Sequence, residues 1–230
     1  MGPVVLKKIG KRKYEHFLFL HAAIRILTFG PLTPEVLHTA DQYLKYYVEQ
    51  FGIIYGGHHL VYNLHSLTHL VNECTTHGLL DSFSAFPFEN FLGLIKRLIR
   101  SGHNPLAQLV RRLSEYDSLG LNSFIHKTKE SFTWACIRQG LADSVVLLRE
   151  GLFVKIISQT EDDIYYQQFT GVGDFYKEPL PSSAVGVFEV QHLNDQVMQQ
   201  PKNLFPSPKK CFIVPYYSKF IIMPLIHQLY

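Results

Sequence analysis

The stretch FPFENFLGLIKRLIRS, residues 86–101, decides how the first half of the chain folds. Its apolar residues recur at the 3.6-residue period of an α-helix, and its acid and bases fall on the other side. We therefore predict an amphipathic helix over residues 88–101 with its apolar side buried in a core. The opposite side is then expected to present one acid and three bases, namely Glu89, Lys96, Arg97 and Arg100.

The segments before and after this helix predict further elements. Residues 14–27 keep the helical period, and Thr33 followed by Pro34 is typical of a helix start. Additional helices are predicted at about residues 63–76 and 105–116. From residue 143 onward, short runs rich in Val, Ile, Tyr, Phe and Thr alternate with Gly and Pro, which predicts strands.

These patterns predict an α+β fold, with an N-terminal helical bundle followed by a small, mostly antiparallel β-sheet or open barrel. The expected organisation is a helical domain over residues 1–116, a linker over 117–140 and a β-rich domain over 141–230.

Composition narrows the class of protein. Hydrophobic residues make up 47% and charged residues 18% of the 230 residues, which favours a folded core over disorder. The net charge of +3 is uneven, because residues 1–135 hold 14 bases and 10 acids. The three cysteines form no CxxC pair, which argues against a cysteine zinc site or a disulfide framework. The absence of a signal peptide and of a membrane-length apolar run predicts an intracellular protein without a membrane partner.

His65 and His69 are one helical turn apart, which suits two ligands of one metal ion. Ser66 stands where a zinc protease of the HExxH type has its glutamate, so that class is excluded. The alternative is that both histidines hydrogen-bond locally.

Glu89 also has two interpretations. A carboxylate in the first turn of a helix is favourable against the helix dipole by about 0.3–1 kcal/mol. Alternatively, Glu89 binds metal beside a nucleic-acid groove, although two-metal phosphoryl transfer needs several convergent carboxylates.

The bases of this region predict a phosphate-binding surface. Lys96, Arg97 and Arg100 are followed on the next helix by Arg111 and Arg112, and such a surface binds DNA through a salt-sensitive term. A solvated helix face is the alternative. No dinucleotide-binding, P-loop or nucleophile-elbow motif is present, so no small-molecule substrate is indicated.

Several motifs of the chain resemble the C-terminal region of transposase-derived proteins. They are NLHSLTHL and FSAFPFENFLGLIKR, and later in the chain GLFVKI and GVGDFYKEPLPSSAVGVFEV. These proteins are relatives of the CACTA (En/Spm-like) DNA transposases. The resemblance implies a nuclear protein of DNA-handling origin. It also implies an RNase-H-like nuclease core that uses three acids and a divalent metal, Mg or Mn, with Glu89 matching the third acid.

The first two acids of that family lie well upstream of the matched motifs, and this chain is expected to begin too late to contain them. The resemblance therefore implies a non-catalytic module that retains DNA contacts. One alternative is part of an active metal-dependent transposase or nuclease, with metal at Glu89, His65 and His69. Another alternative is a protein-interaction scaffold that docks partners on aromatic residues of the β-rich half: Tyr165, Tyr166, Phe169, Phe175, Tyr176, Tyr216 and Tyr217.

Overall fold

Helices occupy the first part of the chain and strands follow, in a computed structural model that describes residues 2–119, 134, 137, 144–149 and 151–225. The predicted α+β class is confirmed, since the helices precede an antiparallel eight-stranded sheet that curls into a half-barrel.

The described residues contain seven α-helices. They are α1 (Gly2–Val5), α2 (Lys11–Phe29), α3 (Pro34–Tyr55), α4 (Tyr62–His65), α5 (Leu70–His77), α6 (Phe86–Leu98) and α7 (Pro105–Ser118). Helix α3 begins as predicted, because the Thr33 hydroxyl accepts the N–H of Val36 at 3.4 Å and Pro34 opens the first turn. None of these helices is long and apolar enough to cross a membrane.

Helices α2, α3 and α5 share one core. Ala23 and Ala40 are fully buried, and their small side chains leave room for close packing of α2 on α3. Leu27 and Leu44 fill the space beside them. Cys74 of α5 packs in the same core. Its side chain is buried and its thiol is free.

The sheet consists of short strands joined by turns. The strands are β1 (Val145–Arg149), β2 (Leu152–Gln159), β3 (Asp163–Thr170), β4 (Gly173–Asp174), β5 (Phe188–Val190), β6 (His192–Pro201), β7 (Lys209–Tyr216) and β8 (Lys219–Pro224). Their order is β4-β5-β8-β7-β1-β2-β3-β6, and every neighbouring pair is antiparallel. The turn between β1 and β2 contains Gly151 with a φ of 72°, a conformation that favours glycine.

Strands β5 and β6 form one bent strand that joins the two sides of the sheet. Only Gln191 separates them, yet β5 pairs with β8 and β6 pairs with β3. Gly171 packs against this bend with a φ of 62°, and a Cβ there would lie 2.5 Å from the Gln191 side chain. The sheet therefore curls around a position that accepts only glycine without rearrangement.

Aromatic side chains fill the inside of the curl. Phe153 and Phe169 are almost completely buried, in a cluster that also includes Val190 and Ile222. The rings of Phe153 on β2 and Phe188 on β5 lie 4.8 Å apart, although these strands are not neighbours in the sheet. This contact across the curl stabilises it by burying apolar area.

Helix α2 packs against the segment that leads into β5. Tyr14 and Leu18 share a core with Val187. Arg25 of α2 donates from Nε to the carbonyl of Val185 at 2.8 Å and from Nη2 to the carbonyl of Gly186 at 3.4 Å. The guanidinium therefore attaches the helices to the sheet.

Buried polar side chains surround this attachment. Nε2 of His21 and the hydroxyls of Tyr14 and Tyr176 have no hydrogen-bond partner among the described residues. Burial, and then the nearby charge of Arg25, lowers the pKa of His21 to about 4. Burial raises the pKa of Tyr14 to about 12. The environment therefore favours neutral side chains beside the guanidinium.

The described residues divide into two compact units. The first contains residues 2–83 and those from 134 onward, and so includes α1 to α5 and the sheet. The second contains residues 84–119, with α6 and α7. The predicted domains 1–116 and 141–230 stay a prediction. Most of the predicted linker, 117–140, lies outside the described residues.

Candidate nucleic-acid interface

Glu89 lies in the first turn of α6 with an exposed side chain. Its backbone N–H donates to the carbonyl of Ala85 at 3.0 Å. Its carboxylate forms no ion pair with any other described residue. The favourable interaction with the helix dipole is enough to account for an acid at this position. A role for Glu89 as a catalytic acid stays a prediction.

Two of the predicted bases lie where the sequence pattern places them. Lys96 and Arg97 are exposed in the last turn of α6, and Arg97 donates from Nε to the carbonyl of Gly93 at 3.3 Å. The expectation that Arg100 continues the same helical face is wrong. Helix α6 ends at Leu98, so Arg100 lies exposed on the turn that follows.

Gln108 of α7 explains why the helix stops early. Its side-chain oxygen accepts the N–H of Arg100 at 3.0 Å and that of Ser101 at 3.4 Å. Its amide nitrogen donates to the Ser101 hydroxyl at 2.9 Å and to the carbonyl of His103. These bonds replace the helical bonds that the chain would otherwise make, and they hold the turn between α6 and α7. The sequence interpretation missed Gln108, which the pattern presents as an ordinary helix residue.

Arg111 and Arg112 are less available than the prediction of a five-base surface assumes. Arg112 donates to the carboxylate of Glu115 at 2.7 Å, and Arg111 donates to it at 3.2 Å. The hydrogen bond from Arg112 is the main cause that lowers the pKa of Glu115. One carboxylate therefore screens both guanidinium groups, and three bases remain without an acidic partner among the described residues: Lys96, Arg97 and Arg100.

The prediction that the apolar side of α6 is buried is wrong. Phe88 and Leu92 are 71% and 62% exposed, and Leu106 and Val110 of α7 are 72% and 60% exposed. In the unit that contains these helices, no residue of 84–119 whose burial is described is buried. The physical reason is that two short helices contact each other along only part of their apolar surface.

His65 and His69 lie together, as their spacing predicts. His65 ends α4 and His69 ends the 3₁₀ segment Ser66–His69, and their ring centroids are 5.2 Å apart with nearly perpendicular planes. Both side chains are exposed. The described part of the chain contains no group of three or more His, Cys, Asp or Glu side chains arranged to hold a metal ion. Metal binding by this pair stays a prediction.

An open groove lies beside His69 in the same unit. It is lined by residues of α3 and α5 that include His38, Asp41 and Asn72. Asp41 is engaged by Lys45, whose ammonium lies 2.7 Å from its carboxylate. The groove therefore offers a mixed polar surface, with its acid already paired.

The aromatic docking surface predicted on the β-rich half is wrong for most of its members. Tyr166, Phe169, Phe175 and Tyr176 are all buried. Phe169 lies in the core inside the curl and Phe175 and Tyr176 in the core beneath α2, whereas Tyr166 lies in a third cluster with other residues of β1, β2 and β3. Of the predicted rings, Tyr217 is the exposed one, at 89%.

Residues 107–225 match a protein family described as a domain of unknown function, DUF8592. The chain belongs to the DUF8592 family. The DUF8592 region starts within α7 and continues just past β8, so it includes Arg111 and Arg112. The bases at the end of α6 and the histidine pair precede it. No curated protein and no solved structure matches this chain.

Proposed function

We propose that this chain is a non-catalytic, transposase-derived nuclear module that binds the phosphate backbone of double-stranded DNA. Lys96, Arg97 and Arg100 are the residues that bind it. One observation supports the proposal: these three exposed bases have no acidic partner among the described residues. The transposase origin rests on the resemblance of the motifs around His65 and Glu89.

The arrangement of the three bases suits a phosphate backbone. Lys96 and Arg97 are adjacent at the end of a helix, and Arg100 follows on a turn whose backbone is held by Gln108. Backbone order at Arg100 reduces the entropy that binding would otherwise cost. Because phosphate contacts carry no sequence information, the binding is expected to be non-specific.

Counterion release sets the expected salt dependence. Three phosphate contacts give a slope of about −2.7 for log K against log salt concentration. Raising the salt from about 50 to 200 mM should therefore weaken binding roughly 40-fold.

Fluorescence anisotropy with a labelled duplex of mixed sequence tests this proposal on the full chain. The combined variant Lys96→Gln, Arg97→Gln, Arg100→Gln should lose most of the binding and most of the salt slope. Arg111→Gln is the matched control and should bind nearly as well as the wild type, since Glu115 screens that base. The DNA proposal fails if the wild type does not bind at about 50 mM salt, or if the combined variant binds equally well.

The non-catalytic part of the proposal needs its own experiment. Supercoiled plasmid incubated with the chain and Mg²⁺ or Mn²⁺ should remain uncut. Metal-dependent nicking that disappears in Glu89→Gln would instead support the active nuclease, with His65 and His69 as the next residues to substitute. Nuclear location is checked separately by imaging of the tagged full chain.

A protein-binding role is the second candidate function. The exposed apolar side chains of α6 and α7 favour it, and the aromatic residues of the strands do not, because most of those are buried.

A further inference from the structure

A small cavity lies within the first unit, between α2, α3 and the segment that connects β4 to β5. Its volume is about 240 Å³, below the roughly 300–1,000 Å³ of pockets that take drug-sized ligands. The side chains that give the cavity its chemistry are Arg12, Glu15, His16, Phe19, Tyr46 and Glu178. The cavity therefore suits a ligand of few atoms, and the chemistry of its wall indicates which kind.

His16 is 3% exposed in the wall of this cavity and keeps an unused hydrogen-bond acceptor. Its Nε2 lies 2.8 Å from the carbonyl oxygen of Tyr47, which only accepts, so the ring proton is on Nε2. Nδ1 then carries a lone pair, and it has no hydrogen-bond partner among the described residues. Burial is the main cause that lowers the pKa of His16, and the neutral ring keeps this acceptor available. A buried acceptor without a partner is unfavourable, so a ligand that donates a hydrogen bond is expected.

The charged residues of the wall leave a surplus of negative charge. Two acids, Glu15 and Glu178, oppose one base, Arg12, which gives a net charge of −1. The carboxylate of Glu15 lies 3.8 Å from the ammonium of Lys11, and an exposed pair of this kind contributes little. Glu178 is exposed and forms no ion pair with any other described residue. A cationic ligand would therefore find an unpaired carboxylate at the cavity.

Aromatic rings form another part of the wall. The ring centroids of Phe19 and Tyr46 are 4.4 Å apart, and Tyr46 is 42% exposed. The face of an aromatic ring attracts a cation that lies within about 6 Å of its centroid. The Tyr43 hydroxyl donates to the carbonyl of Pro179 at 3.1 Å, which positions the segment that carries Glu178. Rings, a surplus carboxylate and a buried acceptor together match a cation that donates hydrogen bonds.

We propose that this cavity binds a small organic cation, namely an ammonium or guanidinium group on a short aliphatic chain. One N–H of the cation donates to Nδ1 of His16, its positive charge pairs with Glu178, and its chain packs on Tyr46. An organic cation meets all three features of the wall, because its charge attracts the carboxylate and the rings and its N–H groups donate to the imidazole. The inference does not depend on DNA binding, since the three bases proposed to bind DNA belong to the other unit.

Isothermal titration calorimetry with butylguanidinium tests the proposal on the full chain. A ligand of this size is expected to bind with a Kd of about 1 mM. Glu178→Gln and Tyr46→Leu should each weaken binding about five-fold, because the first removes an exposed charge pair and the second a cation–π contact. Glu161→Gln is the matched control, since it removes the same charge from an exposed residue that does not line the cavity, and it should bind like the wild type.

The imidazole resonances of the chain give a direct readout of the proposed contact. In proton–nitrogen NMR spectra, the unprotonated Nδ1 of His16 should shift as butylguanidinium saturates the site, because it then accepts a hydrogen bond. The ring of His192, which is exposed on β6 and does not line the cavity, should keep its resonances. An Nδ1 resonance of His16 that stays in place at saturation would contradict the proposed contact.

Three further results would overturn the proposal. One is a lack of binding up to about 20 mM butylguanidinium, far above the expected Kd. Another is equally tight binding of pentanoate, an anion of similar length. The third is wild-type affinity in both Glu178→Gln and Tyr46→Leu, since the cation would then bind elsewhere. Circular dichroism checks that each variant folds, and the wild-type titration and the NMR spectra remain decisive if one does not.

A free cation and the side chain of a protein partner share this chemistry, and a second ligand distinguishes them. N-acetylarginine amide carries the same guanidinium on a peptide backbone. Affinity equal to that of butylguanidinium would indicate an arginine side chain as the ligand, whereas weaker binding would indicate a free cation.

Discussion

Replacing Arg25 by Met tests whether a single guanidinium attaches the helices to the sheet in the first unit. Met keeps much of the length and apolar volume of the side chain. It removes the donors to the carbonyls of Val185 and Gly186. Because Val185 is 1% exposed, water cannot easily replace the lost donor.

The expected cost follows from the geometry. A hydrogen bond from a charged donor contributes about 1.5–3 kcal/mol, and the 2.8 Å bond to Val185 belongs to this class. The 3.4 Å bond to Gly186 adds little. Met carries no charge, so the cost of keeping a partly buried charge away from water disappears with Arg25 and offsets part of the loss. We therefore expect the free energy of unfolding to fall by about 1–2 kcal/mol.

Gly186 provides a second, independent measure of the same contact. Its φ is 70°, and a Cβ there would lie 2.5 Å from Nη2 of Arg25. Gly186→Ala should therefore combine backbone strain of about 1–2 kcal/mol with a clash. In the Arg25→Met background the clash disappears, so the cost of Gly186→Ala should drop by about 1 kcal/mol.

Urea unfolding followed by circular dichroism measures all four members of this cycle. Arg12→Met, an exposed substitution on the same helix, is the control and should stay within about 0.5 kcal/mol of the wild type. The reasoning is refuted if Arg25→Met matches that control, or if the two substitutions are fully additive.

Two further perturbations address buried polar groups. Lowering the pH should destabilise the fold, because the pKa of His21 is about 4 in the folded state and about 6.5 in the unfolded state. The stability that the fold gains from a neutral His21 is complete above pH 6.5. Up to about 3 kcal/mol of it is lost as the pH falls toward 4. Urea unfolding at pH 7 and pH 4.5 should show that His21→Leu loses less free energy of unfolding between these two pH values than the wild type. An equal loss in the two proteins would contradict the assignment to His21. Ser182→Ala should cost about 1–3 kcal/mol, because the buried hydroxyl accepts the N–H of Phe175 and donates to the carbonyl of Val187. Ser218 is exposed, so Ser218→Ala is the control in thermal unfolding. Equal melting temperatures for the two variants would rule out a stabilising role of the Ser182 hydroxyl.

Periodicity predicts the elements that have a distinct apolar side, α6 among them, whether or not that side is buried, and it misses an element that has none. The start of α3 and the hairpin of β1 and β2 follow from local signals, a Thr-Pro pair and a glycine turn between apolar runs. Strand β6, the longest of the sheet, was not predicted. Its sequence HLNDQVMQQP is mostly polar and exposed, because it pairs with β3 alone. Its pairing is set by the bend at Gln191, which no local pattern encodes.

The candidate site shows the same division between local and non-local information. The approach of His65 to His69 is a consequence of spacing, and sequence alone predicts it. The pairing of Glu115 with Arg111 and Arg112 was also available from the sequence, since the separations of four and three residues are those of helical ion pairs.

Other features of the site depend on contacts that the sequence does not show. The early end of α6 depends on a side chain from another helix, Gln108. The exposure of the apolar side chains of α6 and α7 depends on tertiary packing and not on their own period. Neither a hydrogen bond from another helix nor the extent of packing can be obtained from periodicity.

The bent strand around Gln191 has a consequence for how the sheet opens. Residues 188–190 pair with β8 and residues 192–201 pair with β3, so Gln191 directly joins two segments that belong to different sides of the sheet. Detaching either segment therefore strains the pairs of the other segment that lie next to the bend. Amide protons of β3 and β8 beside the bend should exchange with solvent in one shared opening event, at a common rate. A protease should accordingly cleave near Gln191 only when both sides open together.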